Sequence, residues 1–110
     1  MQSNLSKRIN ELLVLAVLEE EGGHGYQIAL RVEERTGGTF TFQHGTLYPI
    51  LHRLEKEGRI RGEWEDGPRR RRRYLITPGG QRALKSDSAR LRERFGALFA
   101  LLEGVGDVAA

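Results

Sequence analysis

The sequence predicts a mainly α-helical fold with a small β wing, that is, a winged helix-turn-helix followed by a long C-terminal helix. Three observations lead to this prediction. Two short amphipathic segments follow each other between residues 25 and 58, and residues 59–76 alternate on both sides of an Asp-Gly-Pro turn. The segment after Thr77 then carries apolar residues at coiled-coil spacing.

Composition limits the chain to one small domain. It has 110 residues, of which 38% are hydrophobic, so its core is modest and a second copy would add buried surface. Cysteine is absent, which excludes disulfides and thiolate chemistry and is compatible with a reducing cytoplasm. The longest apolar run, residues 12–18, is too short to span a bilayer and lacks a signal-peptide cleavage region. We therefore expect a cytoplasmic protein with no membrane partner.

The first helix is predicted to be buried on more than one side. Ser3 or Ser6 can cap it, and it ends at Gly22 and Gly23. Its apolar residues surround most of its circumference: Ile9, Leu12, Leu13, Leu15, Ala16, Val17 and Leu18. Such a helix lies in the centre of a core or is shared with a partner.

Residues 25–38 predict a second short helix, because Ile28, Ala29 and Val32 share one face and a pair of glycines ends the segment. Residues 39–42 then alternate and are β-branched or aromatic. This pattern predicts an extended connector and allows it to form one strand of a small sheet.

A third helix is predicted within residues 43–58, where the apolar stripe comprises Leu47, Ile50, Leu51 and Leu54. The opposite face carries His52 and Lys56, which can attract negative charge but bury little apolar surface. Pro49 is tolerated in a first helical turn, so we expect the helix to start near His44. Free backbone N–H groups at such an end suit a phosphate. Two successive helices with the later one exposed match the helix-turn-helix plan.

Residues 59–76 predict a β hairpin that forms a wing. Asp66, Gly67 and Pro68 turn the chain, and the returning strand runs from Arg69 to Ile76. Residues 59–73 hold seven arginines and three carboxylates, a net charge of +4, whereas the whole chain has +3. The positive charge is therefore concentrated in one protrusion, as expected of an element that binds phosphate.

The last helix is predicted to begin with Thr77 as its cap and Pro78 as its first residue. Its apolar residues are spaced as in a coiled coil: Leu84, Leu91, Phe95, Leu98 and Leu102. Because such a helix projects beyond a small domain, we expect this seam to meet the first helix of a second subunit in a two-fold dimer.

Four segments taken together resemble the PadR-like family of transcriptional regulators: GYQI from Gly25, GTLYPIL from Gly45, RLEKEG from Arg53 and YLITPGG from Tyr74. The resemblance covers roughly residues 8 to 100. It implies a homodimer that binds a palindromic operator, usually as a repressor, with a single C-terminal helix for dimerisation. We divide the chain into a DNA-binding domain (1–77), a dimerisation helix (78–103) that packs on the same domain, and a flexible tail (104–110).

Double-stranded DNA is the predicted partner. We expect contacts from the start and outer face of the third helix and from the wing: Gln43, His44, Thr46, Tyr48, His52, Arg53, Lys56, Arg69, Arg70, Arg71, Arg72 and Arg73. The arginines could instead protect a strand edge, Thr46 could cap its helix, and Tyr48 could pack on the helix flank. Tyr26 is expected to be half-buried, and Trp64 to lie in the core beneath the wing.

The second predicted partner is another copy of the chain. The expected interface residues are Leu12, Leu15, Leu91, Phe95, Leu98, Phe99 and Leu102. In some family members aromatic residues at this interface stack on flat ligands, so a small hydrophobic or aromatic effector could bind Phe95 and Phe99. A coiled-coil core is the simpler reason for both.

Catalytic and metal-binding functions are not predicted. The three histidines lack cysteine partners and ligand spacing, and the chain has no phosphate loop, nucleophile elbow or paired carboxylates. We expect no cofactor and no enzymatic activity. The alternative to a DNA-binding regulator is a winged-helix module for protein interaction or assembly, in which the basic hairpin grips an acidic partner.

Overall fold

The computed structural model describes residues 2–43 and 45–109, which form four helices and one three-stranded sheet. The elements in chain order are α1 Gln2–Glu20, β1 Gly23–His24, α2 Gly25–Arg35, α3 Leu47–Lys56, β2 Ile60–Glu65, β3 Arg71–Ile76 and α4 Pro78–Ala109. The sheet is antiparallel with the strand order β1-β3-β2. This confirms the predicted mainly helical fold with a small β wing.

Helix α1 lies at the centre of the core, where Val14, Leu15 and Leu18 are buried. Together with Val17 of the same helix, they join apolar residues of the next two helices and of the sheet: Ile28, Val32, Leu47, Ile50, Leu51, Leu54, Ile60 and Tyr74. Because α1 already includes Gln2, both serines proposed as its cap lie inside the helix, and that prediction is wrong.

The third strand of the sheet is β1, not the connector at residues 39–42. Gly23 and His24 pair with Tyr74 and Arg73 of β3. A Cβ atom on the preceding Gly22 would lie 2.8 Å from the carbonyl oxygen of Tyr74, so glycine is needed for this close approach. The connector contains no strand; Phe42 packs on the core instead.

The wing consists of β2 and β3, with Trp64 directly opposite Arg72 and Glu65 opposite Arg71. The strand β3 begins at Arg71, whereas we predicted a start at Arg69. Since the last pair of the ladder is Glu65 with Arg71, residues 66–70 form the loop at the tip. Arg69 and Arg70 therefore belong to this loop.

Helix α4 starts as predicted. The hydroxyl of Thr77 accepts a hydrogen bond of 3.0 Å from the N–H of Gly80 and donates one of 2.6 Å to the carbonyl of Gly58. The helix continues to Ala109 and so includes residues 104–109 of the predicted tail, whereas Ala110 lies outside the described residues. Its 32 residues correspond to about 48 Å. In the described part of the chain, no helix combines the length and the apolar surface needed to cross a membrane.

Candidate nucleic-acid interface

Helix α3 has one buried face and one exposed face. Its predicted apolar stripe is buried throughout: Leu47, Ile50, Leu51 and Leu54. On the opposite side, the side chains of His52 and Lys56 are exposed. The polar face that the sequence predicts is therefore accessible to a partner.

The start of this exposed face differs from the prediction. Helix α3 begins at Leu47, so Gln43 and Thr46 lie in the turn before it, and both are exposed. Thr46 occupies the cap position, but its hydroxyl makes no capping hydrogen bond. His44 lies outside the described residues. Pro49 is the third helical residue, where its missing N–H still costs no intrahelical bond.

The two flanks of α3 are each held by an ion pair. At 100° per residue, Arg53 lies on one flank, and Glu55 lies with Tyr48 on the other. The Nε atom of Arg53 is 3.7 Å from Oε1 of Glu11, a carboxylate of α1 that is only 8% exposed. Arg53 is thus directed into the fold and balances a buried charge, although we predicted that it contacts DNA.

On the second flank, Glu55 forms an ion pair with Arg72 of the wing. The guanidinium of Arg72 also lies over the ring of Trp64, at 5.2 Å from the centroid, and that of Arg70 lies 4.8 Å from the same centroid. Both distances are within cation–π range. Trp64 is 54% exposed, so the prediction that it lies in the core is wrong. Its ring packs against the guanidinium groups of Arg70 and Arg72 instead.

The other face of the wing carries a second polar cluster, which includes Arg71 and Arg73. The Nε2 atom of His24 lies 2.6 Å from Oε1 of Glu65. This hydrogen bond, with the positive charges of His24, Arg73 and Arg71, holds the pKa of the Glu65 carboxyl below its ordinary value. His24 thereby connects the start of α2 to the wing.

A cavity of ≈ 280 Å³ lies where α2, α3 and the wing meet. Its lining includes Tyr48, Tyr74 and three wing arginines: Arg70, Arg71 and Arg72. A Cβ atom on Gly25 would lie 2.8 Å from the hydroxyl oxygen of Tyr48, so α2 and α3 approach closely here. Burial raises the pKa of the Tyr74 hydroxyl, which stays neutral. Tyr26, also on this cavity, is 76% exposed rather than half-buried.

A second, apolar groove of ≈ 930 Å³ runs between α1 and α4. Leu12, Leu91, Phe95 and Phe99 of the predicted dimer interface line it. The rings of Phe95 and Phe99 stack with their centroids 5.9 Å apart. Two more predicted interface residues of α4, Leu98 and Leu102, are exposed.

One predicted interface residue is placed elsewhere. Leu15 is 1% exposed and lies in the core of the chain itself, so it has no surface left for a second subunit. The reason is that α1 packs against α2 and α3 on that side, whereas the groove lies along the side that carries Leu12.

The structure also assigns roles that sequence patterns did not suggest. Glu11, His24, Glu55 and Glu65 all pair with groups on other elements. Their only signal in the sequence is a charged or ionisable side chain, which by itself does not indicate a partner. Among the side chains of residues 4–43 and 45–105, no group of three His, Asp or Glu residues is arranged to hold a metal ion.

Comparison with known proteins places this geometry among transcriptional regulators. A family model for the transcriptional regulator PadR-like family matches residues 14–86. The chain is 37% identical over 86 residues to Transcriptional regulator Rv3488 of Mycobacterium tuberculosis, a match that covers 76% of this chain and 66% of that protein. It is 32% identical over 56 residues to Transcriptional regulator YqjI of Escherichia coli, covering 51% of this chain and 27% of that protein.

Solved structures share the fold. A transcriptional regulator from Clostridium thermocellum superposes with a TM-score of 0.82 at 25% identity, covering 88% of this chain and 96% of that one. Bacillus subtilis PadR, solved in complex with operator DNA, superposes with a TM-score of 0.66 at 26% identity, covering 72% of this chain and 45% of that one.

Proposed function

Because this chain belongs to the PadR-like family of transcriptional regulators, we propose that it represses transcription as a homodimer on a palindromic DNA operator. The family consists of regulators and not of enzymes. One observation carries the proposal: α3 exposes a polar face directly beside a wing with five consecutive arginines. The complex of the Bacillus subtilis relative with operator DNA supports duplex DNA as the partner.

In the proposed complex α3 enters the major groove. His52 and Lys56 on its exposed face, with Gln43 and Thr46 at its start, are within reach of base edges and phosphates. His44 belongs to the same predicted set, and Tyr48 on the flank faces the phosphate backbone. The side chains of this set that reach base edges supply discrimination among sequences. The set carries little net charge, so it adds little to the electrostatic affinity.

The wing supplies affinity. Arg69, Arg70 and Arg71 are exposed at or beside its tip, and Arg73, in the middle of β3, is half-buried. Arginines in such a protrusion bind the phosphate backbone or the minor groove and release counterions. Binding should therefore weaken steeply as salt rises. Since DNA is the proposed partner, we place the protein in the cytoplasm.

The proposed dimer forms through α1 and α4. Among the described side chains on the outer half of α4, five large apolar residues are exposed in the single chain: Leu98, Phe99, Leu101, Leu102 and Val105. A second copy that covers them and the groove beside α1 would bury this apolar surface. Two-fold symmetry then places two α3 helices in successive major grooves, with half-sites about 10 base pairs apart.

The groove also supports the proposed effector. Its stacked rings of Phe95 and Phe99 suit a small flat aromatic molecule. Binding between two copies would change the distance between the α3 helices and release the operator. Titration of the operator complex with planar aromatic compounds tests this part. A compound that releases operator DNA from the wild-type protein but not from the Phe95→Ala variant identifies the groove as its binding site.

The decisive experiment is a binding titration on the promoter upstream of the reading frame of this protein. We expect specific binding to that duplex over random duplex, with an affinity that falls steeply between low and moderate salt. Equal affinity for both duplexes contradicts a specific repressor. A flat salt response contradicts the role of the arginine wing and favours a protein-interaction module.

A further inference from the structure

We propose that Glu55 and Arg72 are positioning residues that set the angle between α3 and the wing, and that Arg72 does not itself contact DNA. The inference rests on the proposed DNA-binding function. It divides the arginine run into one residue that fixes geometry and others that meet phosphate.

The first support is the ion pair itself. Glu55 and Arg72 come from different elements, 17 residues apart in the chain, and their side chains are 30% and 31% exposed. A pair that is mostly shielded from water is screened less by salt than a fully exposed pair. Salt at the concentrations used for DNA binding should therefore weaken this contact less than it weakens a fully exposed pair.

The second support is the packing around the Arg72 guanidinium. It lies over the ring of Trp64, which is directly opposite Arg72 in the ladder. Arg70 lies over the same ring. Arg72 is thus held by a carboxylate and by an aromatic ring at once, which leaves few of its orientations open to a phosphate.

The third support is Gly62, two residues before Trp64 on the same strand face. A Cβ atom at Gly62 would collide with the guanidinium group of Arg72. Glycine therefore leaves the space through which the Arg72 side chain crosses the sheet toward α3. An arginine side chain that pointed outward to DNA would not need a glycine at position 62.

The proposed role of Glu55 changes the direction in which its substitution should shift the affinity for DNA. Glu55 is a carboxylate on the helix proposed to approach DNA, so simple electrostatics predicts that its removal strengthens binding. If Glu55 positions the wing through Arg72, its removal must weaken binding instead. The two accounts predict opposite outcomes for the same substitution.

The test compares Glu55→Gln with Glu57→Gln, which removes an exposed carboxylate two residues further along, at the end of the same helix. We expect Glu55→Gln to weaken operator binding about threefold to fivefold, whereas Glu57→Gln leaves it equal or stronger.

The double variant Glu55→Arg with Arg72→Glu should recover part of the loss. Arg72→Gln should weaken binding without lowering its salt dependence. Circular dichroism confirms that each variant is folded.

A second measurement needs no DNA. Trp64 is the single tryptophan of the chain, so its fluorescence reports on the wing alone. Acrylamide quenching of Trp64 should rise in Glu55→Gln, stay unchanged in Glu57→Gln and return toward the wild-type value in the charge-swapped double variant.

The outcomes separate this inference from the proposed function. Unchanged quenching in Glu55→Gln, or operator binding by Glu55→Gln at or above the wild-type affinity, overturns the positioning role. Absence of DNA binding by the wild-type protein overturns the proposed function instead, and the quenching comparison then decides by itself whether Glu55 and Arg72 hold the wing.

Discussion

The imidazole Nε2 of His24 and the carboxylate Oε1 of Glu65 lie 2.6 Å apart, although 41 residues separate them in the chain. His24 directly precedes α2, and Glu65 ends β2 beside the tip of the wing. With the Glu55 and Arg72 pair on the opposite face of the hairpin, this contact attaches the wing to the helical core on both sides. The wing therefore packs against the helices on both of its faces and is not an independent arm.

The first prediction concerns the acid stability of Glu65. The pKa of Glu65 is lower in the folded chain than in the unfolded chain, chiefly because of its hydrogen bond with His24. Its contribution to the free energy of unfolding is thus complete above the unfolded-state pKa of about 4.3 and is lost as the pH falls through the lower folded-state pKa. The stability difference between wild type and Glu65→Gln should shrink as the pH falls below about 4, measured by urea unfolding.

The control for this prediction is a double-mutant cycle. In a His24→Ala background, Glu65→Gln should cost less stability at neutral pH than in the wild type. Equal costs in the two backgrounds would mean that the pair does not stabilise the fold.

The second prediction concerns the cap of α4. Thr77→Ala removes both hydroxyl hydrogen bonds, to Gly58 and from Gly80. We expect a loss of about 1 kcal/mol in the free energy of unfolding. Thr77→Ser, which retains the hydroxyl, should recover most of it. If alanine and serine were equivalent in chemical denaturation, the hydroxyl would have no capping role.

The third prediction distinguishes two glycines of α4. A Cβ atom at Gly80 would collide with the carbonyl of Arg59, whereas one at Gly104 meets nothing within 4 Å. Gly80→Ala should therefore destabilise the fold by about 1 to 3 kcal/mol. Gly104→Ala should be neutral or stabilise the helix by up to about 1 kcal/mol. Thermal unfolding of both variants compares them, and equal effects would exclude close packing at Gly80.

The fourth prediction separates affinity from discrimination in DNA binding. Arg69→Gln and Arg71→Gln should weaken binding to all duplexes alike and lower the slope of log affinity against log salt by about 0.9 for each phosphate that the variant no longer neutralises. His52→Ala should instead change the preference among operator variants. Fluorescence anisotropy at several salt concentrations measures both. A uniform loss of affinity in His52→Ala would assign that residue to the backbone.

The fifth prediction concerns the dimer. Leu98 on α4 is 41% exposed and Leu30 on α2 is 42% exposed, so they are matched in size and exposure. Leu98→Glu should yield a monomer in sedimentation equilibrium, because it places a charge in the proposed apolar seam. Leu30→Glu should leave the assembly unchanged. A dimer that survives Leu98→Glu would place the interface elsewhere.

Local sequence patterns predicted most of the fold because most of its elements are determined by residues that are close together in the chain. The buried stripe of α3, the hairpin and the Thr77 cap each depend on residues within a few positions of one another. The strand β1 could not be predicted because two residues are too few to show the alternation of apolar and polar side chains that marks a strand. Its existence depends instead on Gly22 fitting against β3. The start of α3 was placed too early because Pro49 is compatible with several positions in a first turn.

The sequence predicted which residues belong to the candidate site, but not how their side chains contact one another. Periodicity, composition and short motifs were enough to predict the mainly helical fold with a β wing, the family and the concentration of arginine on the wing. Three features became known only from the folded chain: Arg53 turns toward Glu11, Arg72 pairs with Glu55, and Trp64 lies outside the core. Such contacts depend on strand register and helix rotation, which bring distant residues together and which no local pattern contains.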